Sequence, residues 1–283
     1  MSLLRTIAAA QVPGAPAGDR LALAEAAMHR ARGAALVAFP EACFPGYAPG
    51  RAADADRAEA WLRDAARRSG AVLCAGVASA RASRLCVVTP DGRIRRYTKR
   101  FPTFAEAPHW APGDGADQVV ETPIGRVGLL LCSDLMQIAA WRTLARAAVD
   151  LVVVSAAWTD YGGRVEALGP LARAALGPWM RGAAPARDAV LARGARALGV
   201  PVVYANACGP WRLGERFDGG SRVLDATGRV IAAIGGAPGV ARAEVDLGVR
   251  TAAGRRVVPA AWRAFGAVHR VAAGAVRSLE ITR

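Results

Sequence analysis

The sequence predicts a protein of the α/β class, and three observations carry that expectation. Runs with strand character alternate with runs of helical spacing along most of the 283 residues. Hydrophobic residues make up 53% of the chain, enough for a sizeable core. No linker rich in Gly, Ser or charge divides the chain, and no internal repeat is present, so one main domain over 1–250 is expected.

Ile7 to Val12 and Ala35 to Phe39 read as buried strands, and between them Leu21, Ala24, Met28 and Ala31 keep helical spacing. Ala52 to Ser69 reads as a second helix and Val72 to Val77 as the next strand. Leu85 to Thr89, the turn Pro90-Asp91-Gly92 and Ile94 to Thr98 form a hairpin signal. A loop over Pro102 to Ala116 precedes a second hairpin, Val119 to Glu121 and Val127 to Leu131, joined through Pro123-Ile124-Gly125. Ile138, Trp141, Ala145 and Ala148 mark a helix, and Leu151 to Ser155 returns as a strand. Val165 to Arg181 and Ala186 to Leu198 predict two separate helices before a strand at Val202 to Ala205. A Gly/Pro/Trp loop then runs to Gly220, followed by paired strands at Ser221 to Asp225 and Val230 to Ile234. In the tail, 251–283, Trp262, Phe265, Val268, Ala272 and Val276 share one helical stripe, which predicts a helix docking on the domain or on a partner subunit.

Composition excludes several classes. No apolar stretch approaches the roughly 20 residues that span a bilayer, and the first residues lack a signal peptide's apolar centre, so a cytoplasmic location without membrane attachment is expected. The 5 cysteines form no CxxC pair and the 3 histidines no ligand-like spacing, which predicts reduced thiols, no disulfide framework and no metal. The net charge of +14 is spread through nearly every segment, and its densest run, Arg93 to Arg100, alternates as a strand without interleaved aromatics. That pattern fits a solvated face, not a specific nucleic-acid groove.

Within this basic chain a single lysine, Lys99, stands among arginines. A compact ammonium on a thin stem enters a pocket that a planar, permanently charged guanidinium does not. Lys99 follows a strand-like run, as do Glu41 after Phe39-Pro40 and Cys132 after Leu130-Leu131, and strand ends are where α/β sites assemble. A thiol just ahead of a helix and near an ammonium is expected to lean toward thiolate, which makes Cys132 the candidate nucleophile. Its bland alternative is a buried structural cysteine. Asp134 either orders the turn after Cys132 or caps the next helix near Gln137, and capping is the first expectation. Tyr47, Trp110, Trp158 and Tyr161 are candidate pocket walls, each equally readable as core.

These segments, in this order, resemble the nitrilase superfamily of carbon–nitrogen hydrolases, from Ala8-Ala9-Ala10-Gln11 to Ala243-Glu244-Val245-Asp246-Leu247. The resemblance rests on Val37-Ala38-Phe39-Pro40-Glu41 with Phe44-Pro45-Gly46-Tyr47, and on Lys99 followed by Pro102-Thr103 and Glu106. It continues through Trp110-Ala111-Pro112-Gly113-Asp114-Gly115, Val127 to Cys132, Ala156-Ala157-Trp158, Tyr204-Ala205-Asn206 and Gly219-Gly220-Ser221. It implies a four-layer αββα sandwich, a homodimer or higher homo-oligomer, and a site with no cofactor. It further implies Cys132 as nucleophile, Glu41 as base, Lys99 as oxyanion stabiliser and Glu106 as the residue that fixes the lysine. The pair after the nucleophile is Ser133-Asp134, where nitrilases usually carry Trp-Glu and many amidases Tyr-Asp; this places Ser133 among the candidate substrate contacts. Phe44 to Tyr47 and the short Lys99-to-Glu106 spacing look more like the nitrilase branch. The resemblance therefore implies hydrolysis of a small amide or N-carbamoyl compound, with nitrile hydrolysis as the alternative, and a non-catalytic basic binding protein of the same fold as the rival from another class.

Overall fold

A computed structural model of the chain describes residues 3–14, 19–47, 52–103, 106–160, 169–211 and 215–248. The tail 251–283 and Tyr161 lie outside the described residues. Strands β1 (Leu4–Gln11), β2 (Leu36–Ala38), β3 (Val72–Ala78), β4 (Ser83–Val88), β5 (Ile94–Thr98) and β15 (Gly239–Asp246) form one 6-stranded sheet in the order β15-β1-β2-β3-β4-β5. Strands β6 (Val119–Thr122), β7 (Gly125–Leu131), β8 (Leu151–Ala156), β10 (Val202–Asn206), β13 (Arg222–Leu224) and β14 (Val230–Ala233) form the second, in the order β14-β13-β10-β8-β7-β6. Each sheet is mixed. The pairs β1·β2, β2·β3, β7·β8 and β8·β10 are parallel, and the hairpins β3·β4, β4·β5 and β6·β7 are antiparallel.

Three apolar cores explain the layering. Ile7, Leu36, Val72 and Leu85 of the first sheet pack face to face with Val127, Leu129, Val153 and Val203 of the second. The outer face of the first sheet, with Ala8, Val37, Leu73 and Cys86, is covered by α1 (Arg20–Arg30) and α2 (Ala52–Ser69) through Ala24, Ala27, Leu62 and Ala66. The outer face of the second, with Leu130, Val152, Val154 and Tyr204, is covered by α3 (Ile138–Ala147) and α4 (Pro170–Leu198) through Trp141, Leu144 and Leu191. The chain is thus an αββα sandwich. Strands buried on both faces read as continuous apolar runs, as β3 and β8 do, and each fully buried Leu, Ile or Val contributes about 1.5–3 kcal/mol. At α1, Asp19 caps the helix by accepting hydrogen bonds from the Leu21 and Ala22 N–H groups at 3.0 and 3.2 Å, worth about 1 kcal/mol.

Two expectations are corrected. The two helices expected around Gly182 and Pro185 are one, α4, running from Pro170 to Leu198. A proline inside a helix removes one hydrogen bond, but Ala183 before it and Val190, Leu191 and Ala195 after it are buried on the same sheet, so packing carries the helix through. At Gly194 a Cβ would lie 2.3 Å from the Trp141 ring, which explains the glycine at this crossing of α3 and α4. The loop expected up to Gly220 contains β11 (Cys208–Pro210) and β12 (Arg216–Asp218), which join β9 (Thr159–Asp160) in a third, 3-stranded sheet. The basic run at β5 is a sheet edge where Arg95 and Arg96 are both exposed, and Arg96 reaches back to Glu59 of α2 through an Nε hydrogen bond of 2.6 Å.

Candidate active site

Glu41 follows β2, Lys99 follows β5 and Cys132 follows β7, so two residues come from one sheet and the third from its partner. The Glu41 N–H donates to the Ala156 carbonyl of β8 at 3.2 Å and ties the sheets together at this end. Cys132 opens a five-residue 3-10 turn, Cys132–Met136, with φ 45°, and Ala42, just after Glu41, has φ 46°. Both lie in the left-handed region, which costs a residue bearing a Cβ about 1–3 kcal/mol and is held only where surrounding contacts fix it. At Glu41 the support is Gly76, where a Cβ would lie 2.4 Å from the Ala42 nitrogen and 2.5 Å from the Glu41 Cα.

At Cys132 the support is Asp134. Its buried carboxylate accepts from the Leu131 N–H at 3.1 Å, the Phe101 N–H at 2.8 Å and the Tyr97 hydroxyl at 2.9 Å. Asp134 thus orders the nucleophile turn and straps it to the chain on either side of Lys99. The cap expected on α3 is not what it makes: the N-cap of α3, Gln137, has no side-chain cap bond. A carboxylate three residues into a turn reaches back to the turn's own first N–H.

Lys99 is 0% exposed. Its Nζ donates to Glu41 Oε1 at 2.7 Å and lies 2.7 Å from each carboxylate oxygen of Glu106. Glu106 is held in turn by the Thr103 N–H at 2.7 Å and by the Tyr47 hydroxyl. Glu41 Oε1 also accepts from the Ser83 hydroxyl at 3.1 Å. Oε2 is buried and makes no other side-chain or backbone hydrogen bond of ordinary geometry among the described residues, while the Cys132 thiol acts on this carboxylate as a hydrogen-bonding neighbour.

The electrostatics follow from burial and from this order of contacts. Burial pushes the Glu41 carboxyl up and Lys99 pulls it down; burial wins, and the group sits at about 7. Burial also raises Glu106, but the Lys99 charge and the hydrogen bonds from Lys99, Tyr47 and Thr103 outweigh it and hold Glu106 below the usual carboxylate range. For Lys99 burial favours the neutral amine, yet Glu106 and Glu41 outweigh it, so the ammonium is retained. The Cys132 thiol is pushed well above its ordinary value by burial first and then by Glu41, against the pull of Lys99 and of a backbone hydrogen bond from Ala157. This overturns the expected resting thiolate: enclosure and two carboxylates outweigh the turn dipole and one ammonium. The arrangement is a neutral thiol beside a carboxyl poised near neutral pH, with a fixed positive charge alongside.

The sequence profile of the carbon-nitrogen hydrolases matches residues 6–255. The chain belongs to the carbon-nitrogen hydrolase family. An (R)-stereoselective amidase from a Pseudomonas species is 29% identical over 207 residues, 69% of this chain and 67% of that protein. A carbon-nitrogen hydrolase from Helicobacter pylori G27 shares the fold with a TM-score of 0.70 at 22% identity, over 86% of this chain and 89% of that one. A variant amidase from Nesterenkonia sp. AN1, with acrylamide added at its active-site cysteine, superposes with a TM-score of 0.66 at 25% identity, over 84% of this chain and 92% of that one.

Around this carbon-nitrogen hydrolase's Glu–Lys–Cys cluster, the expected pocket residues fall into distinct places. Tyr47 binds Glu106 and stacks edge-on against Trp110 at 5.8 Å, so it belongs to the charged cluster. Trp110 is buried and donates its Nε1–H to the Ser79 carbonyl at 3.1 Å, which makes it a wall behind Tyr47. Ser133 gives its hydroxyl to the Phe101 carbonyl at 2.5 Å, leaving its backbone N–H as the group that a turn's first residues offer to an anion. Trp158 is buried beyond β8, its N–H held by Asn206 Oδ1 at 2.8 Å. Among the described residues no group of three or more His, Cys, Asp or Glu could hold a metal ion. No described helix is long and apolar enough to cross a membrane.

Sequence reasoning missed Ser83, Tyr204, Asn206 as a ligand of Trp158, and Arg187. Asn206 had a faint signal, a buried amide ending an apolar strand; Arg187 had none in an arginine-rich helix.

Proposed function

We propose that this carbon-nitrogen hydrolase cleaves small amides or N-carbamoyl compounds through a thioester on Cys132. The observation that carries the reading is Glu41: one oxygen is pinned by Lys99 and Ser83, the other is left toward the thiol, and the group titrates at about 7. As the sulfur attacks the amide carbon, the thiol proton passes to Glu41, and the carbonyl oxygen becomes an oxyanion facing the Lys99 ammonium and the Ser133 backbone N–H. The carbon–nitrogen bond then breaks, Glu41 returns its proton to the departing nitrogen, and ammonia or an amine leaves. A water gives its proton to Glu41 and attacks the thioester, the carbon–sulfur bond breaks, and the thiolate recovers the proton. Lys99 stays charged throughout because Glu106 holds it. Removing a single oxyanion donor typically costs about 10²–10³ in kcat.

The amidases among its relatives support an amide over a nitrile as substrate. As part of the same proposal the protein works without a cofactor and as a homodimer or higher homo-oligomer, which sedimentation velocity tests. Ammonia release from primary amides, N-carbamoyl compounds and nitriles, compared with a Cys132→Ala variant, tests the chemistry. Release from amides or carbamoyl compounds that vanishes in the variant supports the proposal. Release from nitriles alone refutes the substrate class, and release untouched by the substitution refutes the nucleophile.

A further inference from the structure

Two buried donors in the apolar cluster that holds Cys132 lack a hydrogen-bond partner among the described residues. Trp158 is 8% exposed and Tyr204 is 0% exposed, yet Trp158 Nε1 and Tyr204 Oη make no hydrogen bond among the described residues. A buried polar group left unpaired costs about 1–3 kcal/mol, so a pair of them calls for an explanation. Both rings lie against one guanidinium: Arg187 Cζ is 5.8 Å from the Trp158 ring centre and 5.3 Å from that of Tyr204. Tyr204 packs in the same apolar cluster as Cys132, and a charge on that sulfur reaches its hydroxyl.

The surroundings hold these donors in place without satisfying them. Arg187 is engaged by Asp188 at 2.8 Å and by Asp218, and Arg222 pairs with Asp188 at 3.1 Å. Asp218 accepts from Asn206 Nδ2 at 2.5 Å and gives its own N–H to the Trp158 carbonyl at 3.1 Å, while Asn206 Oδ1 holds the Trp158 N–H. The Trp158 backbone is therefore clamped at both polar atoms and its ring is covered by Arg187. Two guanidinium groups face two carboxylates here, so the positive charge is already matched.

We infer that Trp158 Nε1 and Tyr204 Oη form a polar subsite for a neutral oxygen acceptor, a hydroxyl, ether or carbonyl, on the acyl part of the substrate. This rests on the proposed amide hydrolysis and narrows its substrate class. The donor types select the ligand: an indole N–H only donates, and the phenol meets no acceptor among the described residues, so an alkyl group there leaves both unpaired. A carboxylate is disfavoured because Arg187 and Arg222 are already neutralised by Asp188 and Asp218, and an extra anion would be buried without a counter-charge.

The test compares lactamide with isobutyramide, which replaces its hydroxyl by a methyl, and with succinamate, which carries a carboxylate. Turnover of wild type is measured alongside calorimetric binding to Cys132→Ala. The expected result is a kcat/KM for lactamide about tenfold or more above isobutyramide, the factor one ordinary hydrogen bond supplies, and a ratio that falls toward one in Trp158→Phe and in Tyr204→Phe. Either variant suffices should the other fail to fold. Equal turnover of the isosteres, preference for succinamate, or a preference undiminished in both variants overturns the subsite and leaves the amidase reading standing. Tighter binding of lactamide than isobutyramide to Cys132→Ala, with no turnover of either by wild type, upholds the subsite and overturns the reaction. Neither turnover nor binding overturns both.

Discussion

Substituting Asp134 separates the scaffold of the nucleophile turn from its chemistry. The carboxylate takes three hydrogen bonds, from Leu131, Phe101 and Tyr97, and is fully buried. Each bond to a charged acceptor contributes about 1.5–3 kcal/mol net. Burial pushes the Asp134 carboxyl up to about 6, so enclosing the charge outweighs what Lys99 and these hydrogen bonds return to it, and removing the carboxylate costs less than the sum of its bonds. Asp134→Ala leaves two backbone N–H groups and a phenol without their acceptor, for an expected loss of about 3–5 kcal/mol. Asp134→Asn keeps one carbonyl oxygen and loses one acceptor, for about 1–2 kcal/mol. Because the strap links the turn at φ 45° to the segment bearing Lys99, turnover should fall by about 10²-fold in the alanine variant, with the folded fraction held constant. Urea denaturation gives the stability and ammonia release the rate. An alanine variant within 1 kcal/mol of wild type, or one that is destabilised yet keeps full turnover when folded, would refute the reasoning.

Lys99→Arg should abolish turnover, measured by ammonia release, while circular dichroism keeps the native signature; near-normal activity would mean that the compact ammonium between Glu41 and Glu106 is not required. Glu41 must be deprotonated to accept the thiol proton, so kcat/KM should rise with pH through about 7 and then level, with Glu106 already charged below that range and Lys99 still charged above it. Ser83→Ala removes a donor to the Glu41 carboxylate and should move this limb to higher pH, whereas an unmoved limb would assign it to another group. Gly76→Ala places a methyl 2.4 Å from the Ala42 nitrogen and should cost about 1–3 kcal/mol in thermal or urea unfolding.

Much of the site was legible because three chemically distinct residues, Glu41, Lys99 and Cys132, each end a strand-like run. Glu106 sits in a loop without periodicity and was legible only through the family resemblance. The support was hidden because its partners are remote in sequence: Asp134 meets Tyr97 and Phe101, and Arg187 meets Asp218. Hydrophobic periodicity marked the strands of both large sheets except β15, whose run carries Arg242, Glu244 and Asp246 among its apolar residues; β9 spans two residues after Trp158, and β11 and β12 three each in a Gly/Pro/Trp stretch, too short to show alternation. Gly182 and Pro185 suggested a break in α4 because local propensity was visible and the sheet beneath it was not. The thiolate expectation failed for a related reason: the turn after Cys132 is visible in sequence, whereas its burial beside two glutamates is a property of the assembled sandwich.

The most direct test of the central claim is intact-protein mass spectrometry of the enzyme quenched during turnover of a small amide, with peptide mapping of any adduct. An acyl group on the peptide containing Cys132, absent in Cys132→Ala, is the predicted result. Steady ammonia release with no acyl adduct, and with the same rate in Cys132→Ala, would contradict it.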